Sequence, residues 1–306
     1  MDISGNMPGI TLRQLRFLVA VADTLNISRA AEICFVTQPS LSAALKELEA
    51  RLGVTLAERS KRQVILTPVG AEIVARARAV LLAAREIEEV AAVQAAPEGG
   101  DLRLGAIPTL GPYLIPRALP AIRARFPDLR LLLREEMTEQ LLAGLKQGRL
   151  DLILFAQPFE AEGIEVMPLF EDGYHLAAPM GGLGQGPLRE EALEGARLML
   201  LEKGHCLQRH ALSAFPDRDI AQDESFSATS LPTLISMVSE GLGITLLPDL
   251  AVAAGVLAGQ QVEIAPLPGA CPRRVCLGWR KTSPKARLFR RLGEVLKEVR
   301  AEIGRG

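Results

Sequence analysis

The chain has little of several residue types that would narrow its function at once. It carries four cysteines and three histidines in 306 residues, and no two cysteines are spaced as Cys-x-x-Cys. Cys271 and Cys276 have four residues between them and no histidine nearby, which makes a poor metal site. The sequence therefore predicts neither a bound metal nor a cofactor.

An excess of one charge and long apolar runs are also missing. The formal net charge is −1, so any surface for nucleic acid has to be a local basic patch. The longest apolar runs, such as 131–133 and 80–84, are far too short to span a membrane. The N-terminus lacks the basic and apolar regions of a signal peptide. We therefore expect a cytoplasmic protein without membrane contacts, whose cysteines are mostly reduced.

The most distinctive segment brings the two scarce residue types together. His205 and His210 both lie within four residues of Cys206, and Lys203 and Arg209 add positive charge. Nearby cations favour the thiolate, which is the reactive form of cysteine. Cys206 is therefore a candidate nucleophile, although a lone cysteine is more often a small buried apolar residue. His210 could equally be an ordinary solvated helix residue.

Residues 12–95 have helical periodicity almost throughout. Apolar stripes predict a first helix from Leu12 and a short second helix over 27–33. Thr37 then stands where an N-cap belongs. Pro39 falls at the start of the next helix, where its missing N–H has no helical partner to lose. Two short helices joined by a tight turn indicate a helix-turn-helix.

The third of these helices and the basic segment after it are candidates for contact with DNA. Glutamine suits an adenine edge, while hydroxyls and lysine suit phosphates or bases. The segment 58–67 looks like a hairpin wing over phosphates, and a merely solvated charged surface is the alternative. The predicted DNA-binding residues are Arg29, Thr37, Gln38, Pro39, Ser40, Ser42, Lys46, Arg59, Lys61 and Arg62.

One long helix is predicted from Pro68 to about Ala95, about 40 Å at 1.5 Å per residue. Its apolar positions alternate in steps of four and three, the heptad pattern of a helix that pairs with a partner helix. A helix packed on its own domain is the alternative. The stretch 97–100 (PEGG) ends the helix and marks a linker. The predicted dimer seam consists of Ile73, Ala77, Val80, Ala84 and Ile87.

From Asp101 onward, strand-like runs alternate with helices. This βαβ alternation predicts an α/β fold with a parallel sheet covered by helices. Two such halves joined by crossovers would leave a cleft between them, which is the usual place for a ligand.

The N-terminal region resembles the DNA-binding domain of LysR-type transcriptional regulators. The resemblance rests on LRQLRFLVAVADTLNISRAAE (12–32) and VTQPSLSAALKELEARLGVTLAERSKRQVILTPVG (36–70). It implies an N-terminal winged helix-turn-helix over 1–67, a long dimerising linker helix over 68–96, and an effector domain over 97–306.

The resemblance also implies the architecture of the effector domain and its partners. The effector domain would be periplasmic-binding-protein-like, with subdomain I at about 101–169 plus 269–306 and subdomain II at about 170–268. The implied partners are double-stranded promoter DNA, a second copy in a dimer that pairs into a tetramer, and RNA polymerase.

Within that family, the effector region resembles the OxyR peroxide sensors. The matching stretches are AIPTLGPYLIPRALPAI (106–122), MTEQLLAGLKQGRLD (137–151) and LMLLEKGHCLQRHALSAF (198–215). The resemblance implies that hydrogen peroxide is the signal and that Cys206 is the thiol it oxidises. The residues implied to assist are His205, Thr109 and Thr138, which line the pocket, and Arg274, which supports the thiolate.

One departure from that branch affects the mechanism. Familiar members have a second cysteine nine residues after the first, and this chain has Phe215 there. A single-cysteine switch is therefore expected, ending in a sulfenic acid or a mixed adduct rather than an internal disulfide. Two alternatives stay open: a LysR-type regulator of a small organic anion, and a thiol peroxidase with an accessory domain. The helix-turn-helix argues against an enzyme.

Overall fold

A computed structural model describes residues 9–59, 64–159, 162–183, 197–202, 221–223 and 228–304. The chain separates into two compact units, Met1–Ala91 and Ala92–Gly306. Among the described residues, no helix is both long enough and apolar enough to cross a membrane.

The first unit opens with three helices, each begun by a side-chain cap. The side chains of Thr11, Asn26 and Thr37 accept hydrogen bonds from backbone N–H groups three residues later, at 3.2, 3.0 and 3.4 Å. These caps fix the helix starts, and the predicted helix-turn-helix is confirmed. The helices are α1 (Leu12–Thr24), α2 (Ile27–Ile33) and α3 (Gln38–Leu52).

A short antiparallel hairpin follows, as predicted for the wing. Its strands are β1 (Ala57–Arg59) and β2 (Val64–Leu66), with Ala57 opposite Leu66. The carboxylate of Glu49, near the end of α3, accepts a hydrogen bond from the backbone N–H of Leu56 at 2.9 Å. The wing is therefore tied to the third helix.

The long helix α4 covers Pro68–Ala95, the predicted span. The Thr67 hydroxyl accepts from the N–H of Gly70 at 2.9 Å and donates to the carbonyl of Thr55 at 2.8 Å. The start of α4 is thus bonded to the chain that leads into the wing. A Cβ atom on Gly70 would lie only 2.0 Å from the carbonyl oxygen of Leu56, so only glycine allows this close approach.

The second unit contains a five-stranded sheet in the order β4-β3-β5-β12-β6. Strands β3, β4 and β5 are parallel, as predicted, but β12 runs antiparallel to both of its neighbours. The expected parallel sheet is thus found in β3, β4 and β5, and β12 departs from it because the chain returns to this sheet from the second sheet. The strands are β3 (Gly100–Ala106), β4 (Leu129–Glu135), β5 (Leu152–Gln157), β6 (Ile164–Asp172) and β12 (Arg273–Arg280).

A second sheet, in the order β10-β7-β11, is antiparallel throughout. The strand-like segment 165–178 reads as one strand, yet it divides at Gly173 because the chain passes there from the first sheet to the second. Strand β11 goes unnoticed in the sequence because it is half-buried and has no clear alternation. The strands are β7 (Tyr174–Pro179), β10 (Thr245–Pro248) and β11 (Val262–Pro266).

Helices cover both sheets and share one continuous apolar core with them. A five-residue helix over 249–253 is too short to show periodicity in the sequence. A further pair of two-residue strands lies parallel. The helices are α5 (Gly111–Arg125), α6 (Thr138–Lys146), α7 (Leu231–Ser239), α8 (Asp249–Ala253) and α9 (Ala286–Ile303), and the short strands are β8 (Arg197–Leu198) and β9 (Ala221–Gln222).

We expect Gly70→Ala to destabilise the first unit by about 1–3 kcal/mol, because the added methyl group meets the Leu56 backbone carbonyl. Thermal unfolding of the full chain, followed by circular dichroism, measures the change. Arg76→Ala is the matched control, since Arg76 lies on the same helix with a side chain 81% exposed. If the two variants unfold at the same temperature, the close approach does not limit stability.

Candidate functional site

The third helix presents a polar face opposite its buried one. Leu41, Leu45 and Leu48 point into the core of the first unit. Most of the predicted contact residues on this helix are exposed; Ser42, next to the buried Leu41, is half-buried. The exposed members are Gln38, Pro39, Ser40 and Lys46, together with Arg29 on α2 and Thr37 at the cap.

Three predicted phosphate contacts belong to the wing. Arg59 is the last residue of β1, and only its backbone is described. Lys61 and Arg62 lie outside the described residues.

Two features of this surface were missed in the sequence. The Ser28 hydroxyl donates to the side-chain oxygen of Gln38 at 3.1 Å, which joins α2 to the first residue of α3. Phe35 is 90% exposed at the turn before α3, with a left-handed φ of 58°. The pair Ser28–Gln38 is ten residues apart in sequence, and no local pattern marks it.

The predicted dimer seam divides into a packed part and an open part. Ala77 is buried within the first unit, and Ile73 and Ala84 are half-buried. Val80 and Ile87 are 47% and 73% exposed. Packing within the first unit therefore explains the apolar residue at Ala77. The exposed Val80 and Ile87 form an apolar surface along the helix.

In the second unit, Thr109 and Thr138 occupy equivalent places on neighbouring strands. Each follows the end of its strand by three residues, Thr109 after β3 and Thr138 after β4. Because β3 and β4 are parallel neighbours, their carboxyl ends meet at one edge of the sheet. A hydrogen bond from the N–H of Glu136 to the carbonyl of Ala106, at 3.2 Å, joins the two segments.

Both threonines are almost completely buried, at 1% exposure. Thr138 is the first residue of α6, and Thr109 lies two residues before α5. Helix N-termini carry partial positive charge, so this edge of the sheet favours an anion. The Thr138 hydroxyl has no hydrogen-bond partner in the described part of the chain.

A buried ion pair, which the sequence reasoning missed, holds Thr109 in place. Arg273 donates to the Thr109 hydroxyl at 2.8 Å and to its carbonyl at 3.2 Å. The same guanidinium donates to the carboxylate of Asp172 at 3.0 and 2.8 Å. Both charged side chains are completely buried. Since the Thr109 oxygen accepts from Arg273, its own proton is free to donate elsewhere.

Arg274, the residue predicted to support the thiolate, points to the solvent rather than into the buried site of Arg273. Its side chain is 58% exposed and lies 3.9 Å from the carboxylate of Glu171. The structure thus brings Thr109 together with Arg273 rather than with Arg274. The signal available in the sequence was strand alternation, which puts Arg273 on the same face as Val275.

The ion pair lies where the chain passes between the two sheets. Asp172 ends β6 and is the strand partner of Arg273 at the start of β12. Strand β6 continues directly into β7, and β11 continues into β12. In the second sheet, β7 and β11 are neighbours. We call the passage, residues 171–175 and 266–273, the hinge ribbon. The other Asp172 oxygen accepts from the N–H of Leu250 at 2.8 Å, so the pair also holds α8.

A cavity of about 480 Å³ lies against the hinge ribbon. Its lining includes Glu171, Tyr174 and several prolines. It also includes His175, whose Nδ1 lies 2.9 Å from the Asp249 carboxylate. No group of three or more His, Cys, Asp or Glu residues among those described could hold a metal ion.

The described cysteines differ sharply in exposure. Cys34 and Cys276 are buried, and Cys271 is exposed. Burial raises the pKa of the Cys34 thiol, and Arg16 opposes this. Burial raises the pKa of Cys276 to about 11, and Arg274 opposes this. The predicted reactive residue Cys206 lies outside the described residues, as do His205 and His210.

A helix-turn-helix with a wing, a long connecting helix and a two-sheet domain with a hinge together define a class of bacterial regulator. A family profile described as "Bacterial regulatory helix-turn-helix protein, lysR family" matches residues 12–71. A second, described as "LysR substrate binding domain", matches residues 95–301, more than half of the chain. The chain belongs to the LysR family.

Individual relatives match nearly the whole chain. The DNA-binding transcriptional dual regulator OxyR of Escherichia coli strain K12 is 37% identical over 292 residues, covering 94% of this chain and 95% of that protein. The HTH-type transcriptional regulator EstR of Acinetobacter baylyi is 36% identical over 295 residues, covering 96% and 98%.

Solved structures give the same picture. A full-length OxyR variant from Pseudomonas aeruginosa has a TM-score of 0.77 at 35% identity, covering 95% of this chain and 96% of that one. A peroxide-bound OxyR mutant from Corynebacterium glutamicum has a TM-score of 0.64 at 32% identity, covering 96% and 94%.

We expect Arg273→Met to lower the free energy of unfolding by about 3–5 kcal/mol, because it leaves the Asp172 carboxylate buried without its countercharge. Arg274→Met is a matched control one residue away, and its exposed side chain predicts a change within about 0.5 kcal/mol. Urea unfolding of the full chain measures both. Equal effects of the two variants would contradict the assigned difference in burial.

We expect N-ethylmaleimide at pH 8 to modify Cys271 rapidly and to reach Cys34 and Cys276 only after unfolding. Raising the pKa of Cys276 from 9.0 to about 11 lowers its thiolate fraction about a hundredfold at this pH. Since the unfolded thiol ionises first, this group makes the folded state less stable as the pH rises from 9.0 towards 11. Peptide mass spectrometry measures the labelling, and equal rates at Cys271 and Cys276 would disprove the prediction.

Proposed function

We propose that the protein is a DNA-binding transcription regulator of oxidative-stress genes, switched by hydrogen peroxide at Cys206. The observation that carries the proposal is the buried Thr138 hydroxyl, at a helix N-terminus and without a partner in the described part of the chain. A buried donor of this kind is costly unless a ligand or a further side chain satisfies it.

The relatives support peroxide as that ligand. A Streptomyces viridosporus relative, 38% identical and covering 96% of this chain, is named a probable hydrogen peroxide-inducible genes activator. The Corynebacterium glutamicum structure has hydrogen peroxide bound. The sequence itself supplies the thiol, with His205 beside it and cations nearby.

In the proposed reaction, the thiolate sulfur of Cys206 attacks one oxygen of hydrogen peroxide. The S–O bond forms as the O–O bond breaks, and the departing hydroxide takes a proton to leave as water. The sulfur is oxidised to a sulfenic acid and the peroxide is reduced. The hydroxyls of Thr109 and Thr138 and the His205 ring donate to the oxygens, and two helix N-termini favour the negative charge that develops.

Arg274 and Arg273 have different proposed parts. Arg274 supports the thiolate by its charge, as expected from the sequence. Arg273 acts indirectly: it holds the Thr109 oxygen so that the Thr109 proton faces the reacting oxygens. Because Asp172 neutralises Arg273 in a dry site, Arg273 orients the threonine more than it attracts an anion.

In this proposal Cys206 is the only cysteine of the switch that peroxide oxidises; Cys271 is exposed but matches no resolving position of the resemblance. Phe215 stands at the place of a resolving partner, Cys34 belongs to the first unit, and Cys276 is buried with a raised pKa. The oxidised form is therefore a sulfenic acid or a mixed disulfide with a small thiol.

The proposed output is a change in DNA contacts. The exposed residues of α3 and the basic wing bind promoter DNA, with segments 1–67, 68–96 and 97–306 as DNA-binding, linker and effector parts. The exposed Val80 and Ile87 pair with a second copy, and two dimers form a tetramer that contacts RNA polymerase in the cytoplasm. No catalytic turnover is proposed.

The deciding experiment compares wild type, Cys206→Ser and Cys271→Ser on DNA upstream of the gene. We expect peroxide to change the footprint of wild type and Cys271→Ser, because Cys206 remains, and to leave Cys206→Ser unchanged. Mass spectrometry of the treated protein should find one added oxygen or a small-thiol adduct on Cys206. Cys271→Ser is the matched control because Cys271 is the exposed thiol among the described cysteines.

Other outcomes of this experiment would contradict the proposed mechanism or favour a different function. An internal Cys206 disulfide as the main product would contradict the single-cysteine mechanism. The cavity of about 480 Å³ at the hinge ribbon has the size of a small-molecule pocket and favours a second candidate, a regulator of a small organic anion. That candidate predicts no peroxide effect and a melting temperature raised by the anion. Sustained peroxide consumption with a reductant would instead indicate a thiol peroxidase.

A further inference from the structure

The first turns of α2 and α3 are joined by one side-chain hydrogen bond. Ser28, in the first turn of α2, donates from its hydroxyl to the side-chain oxygen of Gln38 at 3.1 Å. Gln38 is the first residue of α3, and both side chains are exposed. In a helix-turn-helix, the N-terminal residues of the second helix are those that reach base edges.

This bond fixes which end of the Gln38 amide faces outward. The oxygen and the nitrogen lie on opposite sides of a carboxamide, so holding the oxygen toward α2 turns the NH₂ group away from it. That NH₂ group has no hydrogen-bond partner among the described residues, and its two N–H bonds are available as donors.

The capping side-chain oxygens nearby are already in use as acceptors. Thr37 accepts from the backbone N–H of Ser40 as the cap of α3, and Asn26 accepts from that of Arg29 as the cap of α2. Pro39 has no N–H to offer. The Gln38 amide lies at this end of α3 as a group that is oriented by one hydrogen bond and still has its NH₂ donors open.

We propose that Ser28 is a positioning residue that makes Gln38 a hydrogen-bond donor toward DNA. Adenine is read by glutamine through two bonds, with the amide oxygen accepting from N6 and the nitrogen donating to N7. Ser28 takes one of the two lone pairs of that oxygen and holds the oxygen toward α2 rather than toward a base, so this paired reading is disfavoured. The amide then acts as a donor to major-groove acceptors: guanine offers two, N7 and O6, and thymine offers O4, whereas adenine has a donor, N6–H₂, beside its single acceptor N7. This replaces the adenine edge expected from residue type alone and rests on the proposed function.

The expected effect is modest, because the bond is exposed to water. The loss of one such hydrogen bond corresponds to about a two- to tenfold change in relative affinity. Ser28→Ala frees the amide to rotate and accept from adenine. Ser28→Thr keeps the hydroxyl and should retain the wild-type preference.

The test selects binding sites from a randomised duplex library with the full-length protein, in four forms: wild type, Ser28→Ala, Ser28→Thr and Gln38→Ala. We expect one column of each half-site to favour guanine or thymine for wild type and Ser28→Thr. In Ser28→Ala that column should shift toward adenine by about two- to tenfold, and in Gln38→Ala it should lose its preference. Melting temperatures are measured in parallel, since a merely structural role would lower stability without changing base preference.

The outcomes separate this inference from the proposed function. If Gln38→Ala erases the column and Ser28→Ala matches wild type, the positioning role is overturned while DNA recognition by α3 stands. A wild-type preference for adenine at that column would also overturn it. If wild type enriches no site at all, the proposed function fails and the inference fails with it.

Discussion

The second unit depends on a single buried ion pair. Arg273 and Asp172 meet where the chain crosses between the sheets, and each reaches one further element, Thr109 before α5 and Leu250 in α8. A buried pair adds little net stability over apolar packing, but the loss of either partner is costly. The pair therefore constrains geometry above all. It connects a threonine at the proposed peroxide site to the hinge ribbon through direct hydrogen bonds.

The first unit is organised around bonds that join its elements rather than around its core alone. Glu49 ties α3 to the start of the wing, and Thr67 ties the start of α4 to the chain before the wing. Ser28 ties α2 to α3. Each bond uses one side chain to satisfy groups of a neighbouring element, which leaves few independent motions. The surface proposed to contact DNA is thus preorganised, and preorganisation reduces the entropy lost on binding.

Local signals explain what the sequence could predict. Caps such as Thr37 and the stripe of α4 act within a few residues, so the helix boundaries of the first unit were predictable. Non-local pairings were not. Arg273 and Arg274 are adjacent residues of the same type. Which of them is buried depends on which face of the strand each side chain occupies, and the burying partner, Asp172, lies 101 residues away in the sequence. The reversed direction of β12 follows from the path of the chain through the second sheet. Thr109 and Thr138 could be named from resemblance, but their burial at two helix N-termini required the topology.

The close approach at Gly70 has a mechanical consequence. Because the start of α4 lies against the Leu56 carbonyl and is capped by Thr67, the direction of α4 is fixed relative to the chain that leads into the wing. A helix of this length, about 40 Å, converts a tilt of about 10° into a displacement of about 7 Å at its far end. The direction in which α4 leaves the wing therefore decides where its last turn lies, and the missing side chain of Gly70 is what allows that direction.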